Sequence, residues 1–142
     1  MGKRIVAREI VFQLVFGFIF TGEKDDQNLD IFLEDLSLDN DDKNYIQNTY
    51  QGVINHFEEI QEILKTNITG YTIDRVEKVA LTCLVLGVYE IKYNDLVPAI
   101  AVDEMVKLAK KFGDEKSYKF VNGVLAKIVK WLKGVNPFLI LI

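Results

Sequence analysis

An all-α domain is the fold class this sequence predicts, on three observations. Apolar residues recur at helical spacing in nearly every segment, no stretch keeps the period-two alternation of a half-buried strand, and Gly, Asn, Asp and Pro punctuate the segments. With 142 residues the chain fits one domain, 1–142, long enough to bury roughly two-thirds of its unfolded surface. Apolar residues at 49% and charged residues at 27% are ordinary globular values, so disorder is not the reading.

The first helix, about Lys3 to Phe20, is apolar nearly all round and is expected either at the centre of a bundle or under a partner; Thr21-Gly22 ends it. A short helix is expected around Leu29 to Leu36, with Asp25-Asp26 and Asp41-Asp42 read as capping and solvated acids at helix starts. From Asn40 one long helix is predicted as far as Asn67, because Ile46, Tyr50, Val53, Phe57, Ile60 and Leu64 keep the helical period, and Gly70 marks its break. Thr72 or Asp74 begins the next, deeply apolar helix, which Asn94-Asp95 and Pro98 close. Asp103 and Glu104 then start a helix that runs to Phe112, its acids and lysines matched to the helix dipole, with Gly113 at the position past its end. Asp114 caps the last helix, about Glu115 to Lys133, whose buried stripe is Val121, Val124, Leu125, Ile128 and Leu132; Gly134 and Pro137 terminate it. The apolar ending Phe138 to Ile142 is expected to pack on the body.

Charge is segregated. Residues 23–43 hold nine acids against Lys24 and Lys43, a local −7 that leaves +3 on the remainder of a chain whose net charge is −4. Residues 107–142 carry eight lysines against Asp114 and Glu115, and Lys3, Arg4 and Arg8 stand at the other end; if the two basic ends meet, they form one basic surface. One cysteine allows no internal disulfide and no secretory leader is visible, so a reducing cytoplasm is the expected compartment. The apolar runs Ile10 to Phe20 and Val79 to Val88 fall short of the ~20 residues a membrane span needs.

Chemistry is sought mostly in vain. His56 and Cys83 supply neither a zinc tetrad nor a redox pair, no nucleophile elbow accompanies the single histidine, and no phosphate-binding glycine loop occurs. No catalytic residue, metal or cofactor is expected. What remains is a pairing of cations with rings. Lys116, Phe120, Lys127 and Trp131 fall along one flank of the last helix, and Arg4, Arg8, Phe12 and Phe16 step at i+4 in the first. Exposed rings stack on unpaired bases while cations meet phosphates, which suits single-stranded RNA. The same pattern also describes a core edge covered by lysine stems, and periodicity alone leaves both readings open.

The string "DLVPAIAVDEMVKLAKKFGDEKSYKFVNGVLAKI", Asp95 to Ile128, resembles the NusB transcription antitermination factors: a proline loop, an acidic helix start, "LAKKFG", a short acidic turn and "KFVNGVL". "AREIVFQLVF" in 7–16 and "LGVYEI" in 86–91 are similar to the family's first and central helices. The resemblance implies about seven helices in two packed subdomains, here about 1–67 and 71–134, followed by the apolar tail 135–142. It implies a protein without catalysis or cofactor that binds boxA, a short single-stranded signal in nascent ribosomal RNA leaders. It does so together with the ribosomal protein NusE, within the RNA polymerase antitermination complex. Carried over by position, the basic amino terminus falls on Lys3, Arg4 and Arg8 as phosphate partners and Phe16 on a lining ring. Phe120 falls on the stacking residue, Lys116 and Lys119 on its phosphate partners, and Asn122 on a polar reader or a residue that seats Gly123 against a neighbouring helix. NusE is expected on the helical region 74–90, with Glu77 and Glu90 as contacts.

Three departures from the family pattern bear on these expectations. The basic amino terminus is thinner than usual, Lys116 stands where an acid is frequent, and Ala80-Leu81 replace an acidic-basic pair, which weakens the expected polar contact with NusE. The resemblance also allows a homodimer formed through the RNA-binding side. A protein adaptor of the same fold without RNA binding of its own is the alternative reading.

Overall fold

A computed structural model describes residues 2–70 and 72–135, with side chains from Arg4 onward. Among them are seven α-helices: α1 Gly2–Thr21, α2 Asp26–Leu33, α3 Asn40–Asn55, α4 Phe57–Asn67, α5 Lys78–Lys92, α6 Pro98–Phe112 and α7 Glu115–Val135, with a short 3-10 turn at Ile73–Arg75. No strand occurs among the described residues. Pro137 and the apolar ending 138–142 lie outside them.

The helices cluster into two units, one up to Asn55 and one from His56 on. In the first, α1 packs against α3 and touches α2. Ala7, Ile10, Val11, Phe12, Leu14 and Val15 of α1 are buried, while Ile5, Val6 and Phe20 remain exposed. Helix α1 stops where Gly22 turns left-handed at φ +77, a conformation that costs glycine little. Helix α2 begins three residues earlier than its apolar pattern predicts, because the Asp25 carboxylate accepts from the Asn28 N–H at 2.9 Å and fixes the start there. Leu36, expected inside this helix, is 96% exposed beyond its end. The fully buried Tyr50 on α3 ties the same turn down, its hydroxyl accepting from the Asp25 N–H at 3.0 Å.

The predicted long helix 40–67 is two helices. His56 interrupts it with φ −108 and ψ 13, its ring stacked on Tyr93 at 3.9 Å between centroids. The apolar period resumes in phase after the break, so periodicity does not reveal it. Because α4 packs on α5 and α7, it belongs with the second unit, and the boundary falls at 55/56 rather than between 67 and 71.

Helix α5 is the centre of that second unit, buried continuously from Ala80 to Val88 against α4, α6 and α7. Its closest approach is at Gly87, where a Cβ would stand 2.9 Å from a methyl of the fully buried Leu125. Val121, Leu125 and Ile128 of α7 are completely buried as their spacing predicts, each worth about 1.5–3 kcal/mol of burial. Pro98 opens α6 at its first turn instead of merely closing α5, so Asp103 and Glu104 sit in the second turn, where Asp103 meets Lys107 at 3.0 Å. Asp95, at φ +52, turns the chain between α5 and α6.

Candidate nucleic-acid interface

The expected binding residues divide between the two units, and each group has its own geometry. In the first unit, Arg4 is held from three sides. Its terminal nitrogen lies 2.6 Å from an Asp41 oxygen, its Nε lies 3.4 Å from Asp42, and its guanidinium sits over the Tyr45 ring at 4.2 Å. Asp42 is nearly buried, whereas Asp41 is exposed. Asp41 and Asp42 occupy the first turn of α3, whose start is set by Asp39 accepting from the Asp42 N–H at 2.8 Å. The three carboxylates of Asp39, Asp41 and Asp42 lie within 4.8 Å of one another, and the Arg4 guanidinium supplies the charge that meets two of them.

Arg8 is half-buried on the same helix. Phe16 stands in the middle of a ladder of rings, 6.0 Å from Phe12 and 5.6 Å from Phe20. Phe12 is buried and belongs to the core, so of the two rings in the expected succession along α1 only Phe16 reaches the surface. The side chain of Lys3 lies outside the described residues.

In the second unit, the start of α7 borders an open recess of about 560 Å³. Phe120 and Lys116 line it from α7, Arg75 from the 3-10 turn, Val76 from the residue after that turn and Ala80 from the start of α5. Phe120 is half-buried at the edge of the α7 stripe, so one flank of its ring is supported by the body. Lys116 is exposed and forms no ion pair within 4 Å among the described residues. Lys119 points elsewhere along the helix surface and pairs with Glu115 at 2.5 Å, an exposed i, i+4 contact of small worth. Asn122 is exposed. Gly123 has open space where a Cβ would go, so seating Gly123 against a neighbour is not the role of Asn122; Gly87 is the glycine that makes a close helix approach.

Ser117 joins the two helix starts that frame the recess. It is 5% exposed, and its Oγ lies 2.6 Å from a Glu77 oxygen and 3.1 Å from an Asp114 oxygen. Glu77 caps α5, accepting from the N–H groups of Val79 and Ala80, and Asp114 caps α7, accepting from the Ser117 N–H at 3.0 Å. One hydroxyl proton is thus shared between two capping carboxylates. The backbone N–H and hydroxyl of Ser117 hold the Asp114 carboxyl below its ordinary value, by binding its charged form. Gly113 is required beside this serine for space, because a Cβ there would lie 2.6 Å from Ser117 Oγ; its φ of −120 is not the left-handed value expected past a helix end.

The expected partner contacts change accordingly. Glu90 is 1% exposed and accepts from the Asn94 side chain at 2.9 Å, so it closes the end of α5 from within and offers no surface. Ala80 and Leu81 are also buried, which explains why apolar residues are tolerated there. Of the expected docking region 74–90, only residues 74, 75 and 77–79 and the half-buried Tyr89 reach the surface. Cys83 is buried and its thiol is pushed up to about 12, first by burial and then by the negative charge of Glu77, which makes it an inert core residue. Arg75 and Ser117 escaped the sequence reading. A serine three residues after a capping aspartate is the one local signal that was present for the latter.

The family model of the NusB family matches residues 5–130. The transcription antitermination protein NusB of Ruminiclostridium cellulolyticum is 37% identical over 131 residues, 92% of this chain and 90% of its own. That of Ligilactobacillus salivarius is 41% identical over 126 residues, 86% of this chain and 94% of its own. A crystal structure of antitermination factors NusB and NusE in complex with double-stranded RNA superposes with a TM-score of 0.80 at 32% identity, over 92% of this chain and 98% of that one. The solution structure of NusB from Aquifex aeolicus gives 0.79 at 31%, over 96% and 93%. With the helix order, the match across most of the chain and these relatives in agreement, the chain belongs to the NusB family.

Proposed function

We propose that this protein is a transcription antitermination factor that binds boxA-type single-stranded RNA of nascent ribosomal RNA leaders together with NusE. The observation that carries the reading is the recess at the start of α7, where a half-buried ring, Phe120, lies with two cations, Arg75 and Lys116. A base stacks on the ring, and the phosphates on either side meet the cations. Asn122, exposed on the same helix, is placed to meet a polar base edge, and Lys119 adds a weaker phosphate contact once Glu115 releases it. Lys3, Arg4, Arg8 and Phe16 form the second RNA-facing group, on α1. The NusB relative solved with NusE and double-stranded RNA supports NusE and RNA as partners.

NusE docks on the exposed start of α5, around Glu77 to Val79, and the assembly joins RNA polymerase. No helix among the described residues is long and apolar enough to cross a membrane, in keeping with a cytoplasmic role on nascent RNA. Free protein self-associates through α1, whose Ile5, Val6 and Phe20 are exposed; light scattering that finds only monomers ends that part of the reading.

Titration of a boxA-type RNA with and without NusE at modest salt tests the whole. The expected result is RNA binding that NusE strengthens; no RNA-dependent signal in either case sinks it. One observation favours the adaptor reading: Arg4 and Lys119 already spend their charge on acids of this chain. Salt-dependent RNA binding that is lost in Phe120→Ala decides against the adaptor.

A further inference from the structure

Arg4 offers its charge to RNA only after giving it up elsewhere. Its guanidinium is fixed by the Tyr45 ring on one face and by two carboxylates at its edge. The two acids differ. Asp42 is almost fully buried at 3.4 Å from Nε, a contact internal to the α1–α3 packing, while Asp41 is 84% exposed and meets the outer nitrogen at 2.6 Å. That outer edge is the part of a guanidinium that pairs with an incoming oxyanion. A carboxylate oxygen at this distance stands where a phosphate oxygen would stand.

We propose that Asp41 is an affinity-setting residue for RNA, occupying the outer edge of Arg4 in the free protein as an internal stand-in for phosphate that the RNA backbone must displace. The proposal rests on the reading of α1 as an RNA-facing element. Asp42 and Tyr45 keep Arg4 in place throughout, so displacement exchanges one anion for another without moving the helix. The exchange lowers affinity, because the pair with Asp41 is lost as the pair with phosphate forms. It also lowers the salt dependence, because a guanidinium already neutralised by Asp41 contributes less to counterion release. A chain with few basic residues at this end thereby holds even those under restraint, and binding is left to depend more on the α7 recess.

The test uses the full chain with NusE and a fluorescently labelled single-stranded boxA-type RNA, measured by anisotropy across a salt series. Asp41→Asn removes the stand-in and keeps the first-turn geometry; Asp41→Ser serves as a second variant should the first melt early. Asp30→Asn, an exposed acid on α2, controls for the loss of one negative charge. The expected result is tighter binding by Asp41→Asn than by Asp30→Asn, by about two- to fivefold, which is what an exposed ion pair is worth. The log–log salt slope steepens by about 0.7. In an Arg4→Ala background the gain from Asp41→Asn disappears. Equal affinities for Asp41→Asn and Asp30→Asn, or a gain that survives in Arg4→Ala, overturn the proposal while leaving the RNA-binding reading intact. Absence of any RNA binding by the unmodified protein with NusE overturns that reading, and the stand-in with it.

Discussion

Arg4 on α1 and Lys116 on α7 carry the same charge at the two basic ends of the chain, yet one is enclosed and the other open. Arg4 lies between two carboxylates and a ring, and so holds α1 to α3. Lys116 stands at the rim of a recess whose walls are fixed by other groups, chiefly Ser117 and the caps Glu77 and Asp114. On the proposed function, a single side chain in the first unit serves both the fold and the ligand. In the second the two tasks would be divided, so that Phe120 and Lys116, if they meet RNA as proposed, do so without loosening the helices that present them.

The largest effect on binding is therefore expected at Phe120. Phe120→Ala removes a stacking platform worth about 1–3 kcal/mol, so RNA affinity falls roughly tenfold to a hundredfold while the salt slope stays the same. Phe16→Ala, which removes the middle of a ladder of rings, loses less affinity and more stability. An equal loss of affinity from both variants, read by anisotropy beside thermal melts, breaks the distinction between a ligand-facing ring and a supporting one.

Next comes Ser117→Ala. Two capping carboxylates lose a shared donor, which costs about 1–2 kcal/mol of stability, visible as an earlier denaturant midpoint. RNA affinity falls as well, because Lys116 and Phe120 flank Ser117 on the same first turns of α7. Cysteine at this position keeps the size and a weak donor, and is expected to fall between alanine and serine. If melting shifts and affinity does not, the recess is framed without Ser117.

Much of this was legible in the sequence, and what was not has a common cause. The α7 stripe, the Asp114 cap, Gly22 and Gly70 are local or periodic features, and the family resemblance pointed to the start of α7. The break at His56 depends on stacking against Tyr93, far along the chain, and leaves the apolar period in phase. Arg75 lies on a 3-10 turn that was read as the beginning of a helix, so its direction toward the recess was not predictable. Glu90 was expected at the surface because it falls in the region where the resemblance places NusE, whereas it is buried and accepts from the Asn94 side chain. The engagement of Arg4 with α3 is likewise a contact between helices that no spacing rule contains.

A smaller pair of effects separates the cations themselves. Lys116→Ala should reduce the log–log salt slope of RNA binding by about 0.7 and leave stability near its starting value, since the side chain is exposed and forms no ion pair within 4 Å among the described residues. Arg4→Ala should reduce the slope by less and cost about 1–3 kcal/mol of stability, because the nearly buried Asp42 is left without its cation. The same slope change and the same stability from the two variants would mean that the Arg4 contacts are surface accidents.

The smallest expected effect tests whether Ser117 really serves both caps. Asp114 has an ordinary value of 3.8 and is held lower in the folded protein by the N–H and hydroxyl of Ser117. A depressed carboxyl contributes stability that is fully present above the unfolded value and is lost as pH falls through the folded one. Asparagine keeps the capping oxygen but not the charge that Ser117 binds, so Asp114→Asn should melt slightly below the unmodified protein at pH 7. Below pH 4 the two should converge, because only the aspartate has a charge to lose. Melting curves from pH 2 to 7 that stay parallel would show that neither the N–H nor the hydroxyl of Ser117 holds the Asp114 charge. The start of α7 would then be fixed from α5, and Asp114 would be a cap like any other.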